Sequence, residues 1–407
     1  MRVLIVGLNY APEPIGIGPY TTGLAEWLAA RGHAVEVVAG RPYYPQWRAY
    51  PGFGGGWRRS VEHGVGVVRC PHYVPRRPTG IRRIAHHLSF AFAALPVAAW
   101  RARRFRPEVV IAIAPSLLSA PVAWIAARLA GARRWLHLQD LEADAAVSTG
   151  LVGSGPLAGG LRALERFALR HADRVSTIGP AMIVRLVAKG VPAARTFELR
   201  NWANAPEPTQ HGDYRREWSL GNRIVALYSG SLGRKQGAEL LLAAAERLRD
   251  RDDIVLVICG DGPELASLEA RGAGLGNVRF APLQPAGRLA ELLATADIHL
   301  LPQLDAAADL VLPSKLTNML ASGRPVVATA APGTGLFDEV AGCGIAVAPG
   351  DADALAAAVA RLADDLALRA QLGEAARDRA RKRWSRDAIL EAFERQLGAL
   401  AAAPSRP

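Results

Sequence analysis

Ile224-Val-Ala-Leu-Tyr228-Ser-Gly230-Ser-Leu-Gly233-Arg-Lys-Gln-Gly237, running on into Ala238-Glu-Leu-Leu-Leu-Ala-Ala-Ala245, reads as a buried strand, a glycine turn and a helix start. The beginning of the chain repeats the plan. Val3-Leu-Ile-Val-Gly7 is followed by a long loop through Ile15-Gly16-Ile17-Gly18 and then a helical pattern. In such a unit free backbone N–H groups point to a place where a phosphate can sit. One such unit is a weak sign. Two, each opening a half of alternating strands and helices, predict an α/β chain of two Rossmann-like parallel-sheet domains facing a cleft.

Outward from the first loop, apolar strand candidates recur at Val3–Val6, Ala34–Ala39, Val65–Arg69, Val109–Ile113, Trp135–Gln139 and Arg174–Thr177. Helical patterns at Thr21–Arg31, Ser116–Ala130 and Pro156–His171 separate several of them, the alternation of a parallel sheet covered on both faces. The second half repeats it from Ile224–Tyr228 through Ile345–Val347, and helices near Asp353–Asp364 and Leu366–Trp384 follow. The expected division is a first domain over 1–202, a Pro-rich polar linker over 203–222 and a second domain over 223–385. A final helix at Arg386–Leu400, within the segment 386–407, is long enough to cross back onto the first domain.

The 407 residues are 50% hydrophobic and 21% charged, a globular balance. Cys70, Cys259 and Cys343 are odd in number and scattered, which argues against a disulfide framework or a zinc site. A net charge of +12 and a pI near 10.2 favour anionic partners, unless arginine and alanine richness is only compositional. Nucleic acid is not expected, because no aromatic platform interleaves the arginines. No secretory signal is visible in Met1-Arg-Val-Leu-Ile-Val-Gly7, and no apolar run reaches the ~18 residues of a membrane span. The expected location is cytoplasmic, peripheral on the inner face of the cell membrane. For the membrane contact, Arg76, Arg77, Arg82 and Arg83 stand on one side of the apolar stretch Leu88–Trp100, and Arg101, Arg103, Arg104 and Arg106 on the other. A segment of this kind suits an anionic leaflet; an ordinary helix pair with solvated arginines reads equally well.

Candidate site residues collect at strand ends, where ligands of open parallel sheets bind. Gly16 and Gly18 are followed by Thr21, so the dinucleotide fingerprint is incomplete, and a long loop folding over a diphosphate fits better than a dehydrogenase turn. His137 falls mid-strand, as a packed or hydrogen-bonded histidine, and Asp140 at the strand's carboxyl end. Asp140, Glu142 and Asp144 mimic a metal cluster but lack a histidine partner, so no metal is expected. Asp261 and Glu264 mark another strand-to-helix turn. Ser314 is read as the N-cap of a helix that places Lys315 and Asn318 one turn apart, a cation and a carboxamide suited to a diphosphate. Tyr43, Tyr44 and Trp47 are acceptor-site candidates or, alternatively, simple packing residues.

Asn9-Tyr-Ala-Pro-Glu-Pro-Ile-Gly-Ile-Gly-Pro-Tyr-Thr21, Pro42-Tyr-Tyr-Pro-Gln-Trp47, His137-Leu-Gln-Asp140 and Asp309-Leu-Val-Leu-Pro-Ser-Lys-Leu-Thr-Asn318 together resemble the GT-B glycosyltransferases of family 4, in their colanic-acid-type, exopolysaccharide-building branch. The resemblance covers nearly the whole chain. It implies a retaining transferase that moves a sugar from a GDP- or UDP-linked nucleotide sugar to a lipid-linked saccharide, with fucose from GDP-fucose as the first expectation. No cofactor is implied beyond the donor.

Residue by residue, Gly16 and Gly18 match the loop nearing the donor diphosphate, and Gly230 matches the start of the second loop. Ser231 and Gln236 stand where many members have Arg and Lys, with Arg234 and Lys235 beside them to supply charge. Lys315, Leu316 and Asn318 complete the implied donor site. The family's paired glutamates correspond to Leu310, beside Asp309, and to Asn318. Gln139 stands nearest the family's catalytic histidine, with Asp140 after it, so that a carboxamide or carboxylate would orient the sugar. The implied chemistry is front-face transfer, with the diphosphate stabilised by loop amides, Arg234, Lys235 and Lys315. A sugar-nucleotide epimerase of the same fold and a non-catalytic nucleotide-sugar-binding protein remain as alternatives.

Overall fold

A strand with helices on both faces needs apolar side chains on both, and Val3, Leu4, Ile5 and Val6 are all fully buried in β1 (Arg2–Gly7). The computed structural model describes residues 1–141, 156–203, 214–233, 237–303 and 313–403. The chain forms two compact units, one of residues 1–200 with the segment from Ile389 onward, the other of residues 201–388.

In the first unit β1 leads to α1 (Gly18–Ala30), β2 (Ala34–Gly40), β3 (Arg58–Glu62), β4 (Val65–Cys70) and α2 (Gly80–Phe105). Then come β5 (Val109–Ile113), α3 (Ser119–Ala130), β6 (Arg133–Leu138), α4 (Pro156–His171), β7 (Arg174–Thr177), α5 (Pro180–Ala188) and β8 (Thr196–Glu198). The sheet runs β3-β4-β2-β1-β5-β6-β7-β8. Its neighbours are parallel except for the β3/β4 hairpin at one edge, so the expected parallel sheet carries an antiparallel edge strand.

The second unit contains α6 (Tyr214–Glu217), β9 (Ile224–Ser231), α7 (Glu239–Arg247), β10 (Ile254–Asp261), α8 (Leu265–Gly272), β11 (Val278–Ala281) and α9 (Leu289–Thr295). It continues with β12 (Ile298–Leu301), α10 (Ser314–Ala321), β13 (Val326–Thr329), α11 (Gly335–Val340), β14 (Gly344–Val347), α12 (Ala352–Asp364) and α13 (Leu366–Arg383). Its sheet, β11-β10-β9-β12-β13-β14, is wholly parallel.

Both sheets reverse their winding beside their first strand, between β1 and β5 and between β9 and β12. Open α/β sheets bind ligands at such a reversal, beyond the strands' carboxyl ends. Each glycine loop leaves the sheet at one of these points.

The last helix, α14 (Arg386–Ala402), packs on the first unit. Phe393, fully buried, meets Trp135 of β6 edge-on with ring centroids 4.9 Å apart. Glu394 pairs with Arg31 at 2.6 Å and His33 at 2.9 Å.

Candidate functional site

At the reversal in the second unit, β9 supplies Tyr228, Gly230 and Ser231, and α10 supplies Lys315 from the segment following β12. The Lys315 ammonium donates to the Tyr228 hydroxyl at 2.9 Å and lies 4.4 Å from the centre of that ring. The hydroxyl in turn donates to the Ser231 carbonyl at 2.5 Å, tying the lysine to the strand's end. Burial lowers the Lys315 pKa to about 8. Gly230 has φ +134°, and a β-carbon there would strike Cε and Nζ of Lys315. Only glycine combines that backbone with so close an approach.

The helix begins one residue earlier than the sequence reading held. Pro313, without a side-chain cap, is the N-cap and Ser314 is the first helical residue, which corrects the assignment of Ser314 as cap. A helix start of this kind carries partial positive charge, so Lys315 adds a full charge to a place already receptive to an anion. Leu316 is fully buried beside Met319 and Leu320, with its amide bonded to the Pro313 carbonyl. Its side chain thus belongs to the core. Asn318 is half-buried one turn on. Asp261 ends β10, and its carboxylate accepts from the Gly262 amide at 2.8 Å.

In the first unit the loop after β1 closes around Glu13, a residue only 3% exposed. Its carboxylate accepts from Asn9 Nδ2 at 2.8 Å, from the Tyr43 amide at 2.8 Å and from the Tyr44 amide at 3.0 Å. Burial pushes its pKa up, against those hydrogen bonds and the nearby Arg69 charge. Glu13 therefore joins the glycine loop to the 42–47 loop. Gly16 is exposed at φ +74°, where a β-carbon would lie 3.2 Å from the Tyr44 ring. Gly18 opens α1 close against Glu13.

Of the three acceptor candidates, Tyr43 is buried, while Tyr44 and Trp47 are partly exposed. The Tyr43 ring contacts Trp47 at 5.2 Å, His86 at 4.6 Å and His72 at 5.6 Å. Trp47 holds φ +50°, a region that bulky side chains rarely enter.

On β6, His137 is buried and bonded at both ring nitrogens, Nδ1 to Ser176 Oγ at 2.9 Å and Nε2 to the Gln139 amide nitrogen at 2.9 Å. Trp135 Nε1 donates to the same Ser176 hydroxyl at 2.7 Å. Burial lowers His137 to about 4, so it is a neutral brace. That brace fixes Gln139 at the strand's exit. Asp140 follows and is exposed, although nearby protein still raises its carboxyl above the usual aspartate range by desolvation.

Sequence reasoning missed Glu13, Asn9, Tyr228 and the histidines His72 and His86. A lone carboxylate set between two prolines, Pro12 and Pro14, just ahead of the glycine loop is the available signal for the first. For Tyr228 it was a polar-tipped aromatic just before the glycine turn. Arg234, Lys235, Gln236, Asp309, Leu310, Glu142 and Asp144 lie outside the described residues. Among the described residues no group of three or more His, Cys, Asp or Glu is placed to hold a metal ion, and no helix is long and apolar enough to cross a membrane.

Residues 16–202 match the family model "Glycosyl transferase 4-like domain", and residues 212–379 match "Glycosyl transferases group 1". An Escherichia coli (strain K12) protein, "Putative colanic acid biosynthesis glycosyl transferase WcaI", is 40% identical over 375 residues, covering 88% of this chain and 91% of that one. A GDP-mannose-dependent alpha-(1-6)-phosphatidylinositol monomannoside mannosyltransferase of Mycolicibacterium smegmatis is 28% identical, with 94% of each chain covered. Among solved structures, sucrose-phosphate synthase from Thermosynechococcus elongatus superposes with a TM-score of 0.71 at 20% identity, over 99% of this chain and 100% of that one. HepE of Anabaena in complex with UDP-glucose gives 0.68 at 17% identity, over 98% and 100%.

Proposed function

The chain belongs to the family-4 and group 1 glycosyltransferases of GT-B fold, and from that membership we propose that it moves a sugar from a nucleotide sugar to a lipid-linked saccharide in exopolysaccharide assembly, with retention of configuration. The observation that carries this reading is Lys315. It is a desolvated cation at a helix start, held by Tyr228 and packed against Gly230 at a backbone angle that favours glycine, at the winding reversal of a parallel sheet. Such a place is built for a nucleoside diphosphate. GDP-fucose is the donor we propose first; the full-length likeness to a colanic acid protein and to a GDP-mannose-dependent enzyme supports it.

In this mechanism Lys315 and the loop amides stabilise the leaving diphosphate as negative charge develops on it. Arg234 and Lys235 set further positive charge against it, while Ser231, Gln236 and Asn318 supply polar contacts. Gly16 and Gly18 give backbone N–H groups to the same diphosphate. Gln139, braced by His137, orients the sugar beside Asp140. The acceptor hydroxyl attacks on the face the diphosphate leaves, and a departing phosphate oxygen takes its proton. Tyr44 and Trp47 line the acceptor's approach, with Tyr43 behind them. The lipid of the acceptor keeps the reaction at an anionic membrane face.

A thermal-shift panel of GDP-, UDP- and dTDP-sugars tests the donor assignment. A ligand at one hundred times its Kd stabilises the native state by about 2.7 kcal/mol. The expected result is a shift with one base, abolished by Lys315→Ala, followed by transfer of that sugar to a lipid-linked acceptor. No shift with any nucleotide sugar would overturn the reading.

A further inference from the structure

The outward face of α2 runs Ile81, Ala85, Leu88, Phe92, Pro96 and Trp100, all exposed and all apolar. Their spacing of three to four residues stacks them in one stripe along a helix of 26 residues, about 39 Å long. Phe92 is 73% exposed and Trp100 53%. Trp57, 57% exposed, stands beside the stripe because its indole donates to the Ala93 carbonyl at 3.0 Å. The opposite face needs no exposed apolar partner: Phe90, Ala94, Ala98 and Ala102 already bury it in the core.

Charge brackets the stripe. Exposed Arg76, Arg77, Arg82 and Arg83 crowd its first end and Arg103 and Arg104 its last, with Arg58 and Arg59 on the neighbouring β3. No Asp or Glu occurs between Glu62 and Glu108. Arg82 and Arg83 sit in the first turn of α2, the positive end of the helix dipole, where cations disfavour the helix. Their placement suits an external anion. A second copy of the chain is a poor occupant, since a two-fold pairing of the stripes in either direction sets arginines against arginines. A surface of phosphate headgroups over hydrocarbon complements both features at once.

We infer that this face of α2 is the docking surface for an anionic lipid bilayer, lying in the plane of the interface with Phe92, Trp100 and Trp57 in the acyl boundary and the arginines at the headgroups. Docking follows from α2 and β3 alone; its use, delivering a lipid-linked acceptor, rests on the function proposed above. The inner face of the same helix carries His86, packed on Tyr43 at 4.6 Å and Trp47 at 5.4 Å. The acceptor aromatics thus lie one helix diameter, about 10 Å, from the lipid.

Flotation with phosphatidylglycerol–phosphatidylcholine vesicles, against phosphatidylcholine alone, tests the surface. Binding is expected to the anionic vesicles only and to weaken as salt rises. Phe92→Asp with Trp100→Asp should reduce it at least about tenfold, whereas Val184→Asp, an exposed position on α5, should leave it unchanged. Three outcomes overturn the inference: no binding to anionic vesicles, equal binding by the double variant, or a solution dimer that the double variant breaks. Nucleotide-sugar thermal shifts on the same preparations keep the two proposals apart. The double variant should retain the wild-type shift, and a wild type that floats but shifts with no nucleotide leaves the docking standing while the transferase reading falls.

Discussion

Lys315 and Tyr228, 87 residues apart in sequence, share a hydrogen bond of 2.9 Å and a cation–ring contact of 4.4 Å. With its pKa near 8, Lys315 is mostly charged at pH 7 and mostly neutral at pH 9. Only the charged form attracts a diphosphate. Nucleoside diphosphate affinity should therefore fall about tenfold per pH unit above 8, and Lys315→Met should flatten the profile. Calorimetric titration from pH 7 to 9.5 measures it; a wild-type affinity flat across that range would remove Lys315 from the site.

Gly230→Ala forces a β-carbon into Lys315 and an L-residue into φ +134°. The strain is on the order of 1–3 kcal/mol. The unit should still fold, with a modestly lower melting temperature, while nucleotide binding drops at least as far as in Lys315→Ala. Retained binding would show that the lysine can bind from another rotamer.

Glu13→Ala leaves the Tyr43 and Tyr44 amides and Asn9 without their acceptor. A destabilisation of about 2–4 kcal/mol is expected, with altered tryptophan fluorescence as the 42–47 loop loosens around Trp47. Glu13→Gln keeps one acceptor oxygen and should cost less than half as much. Equal denaturant midpoints for Ala and Gln would refute the role of these hydrogen bonds.

Four desolvated histidines predict acid sensitivity. Burial lowers His72, His87 and His299 to about 3 and His137 to about 4. These pKa values are depressed, so below the unfolded value of about 6.5 the unfolded chain binds more protons than the native one. Stability is thus lost as pH falls from about 6.5 towards the folded values. At pH 5 each such histidine contributes a loss of about 2 kcal/mol relative to pH 7. Melting curves at both pH values should show a smaller difference for His299→Asn, whatever its cost at neutrality.

Runs such as Val3–Val6 and Val109–Ile113 announce strands covered on both faces, and Arg174–Thr177 appears in the structure with the ends that the sequence predicts. β3 was illegible because Arg58–Glu62 exposes nearly every residue and carries no alternation. The role of Glu13 is not legible in the sequence, since its partners at Tyr43 and Tyr44 lie 30 and 31 residues away. Lys315 and Leu316 adjoin in sequence but point about 100° apart on a helix, so one reaches Tyr228 and the other enters the core. Patterns report local periodicity; the site is made by contacts between distant segments.

The Phe393–Trp135 contact has a bearing on how the protein comes to exist in the cell. During synthesis Ala388, the last residue of the second unit, is added before Phe393, so the first unit still lacks the ring that packs edge-on against the β6 indole. The unit translated first is finished last, and a ribosome stalled before Phe393 would release a chain with an open hydrophobic seam, the kind of surface chaperones engage.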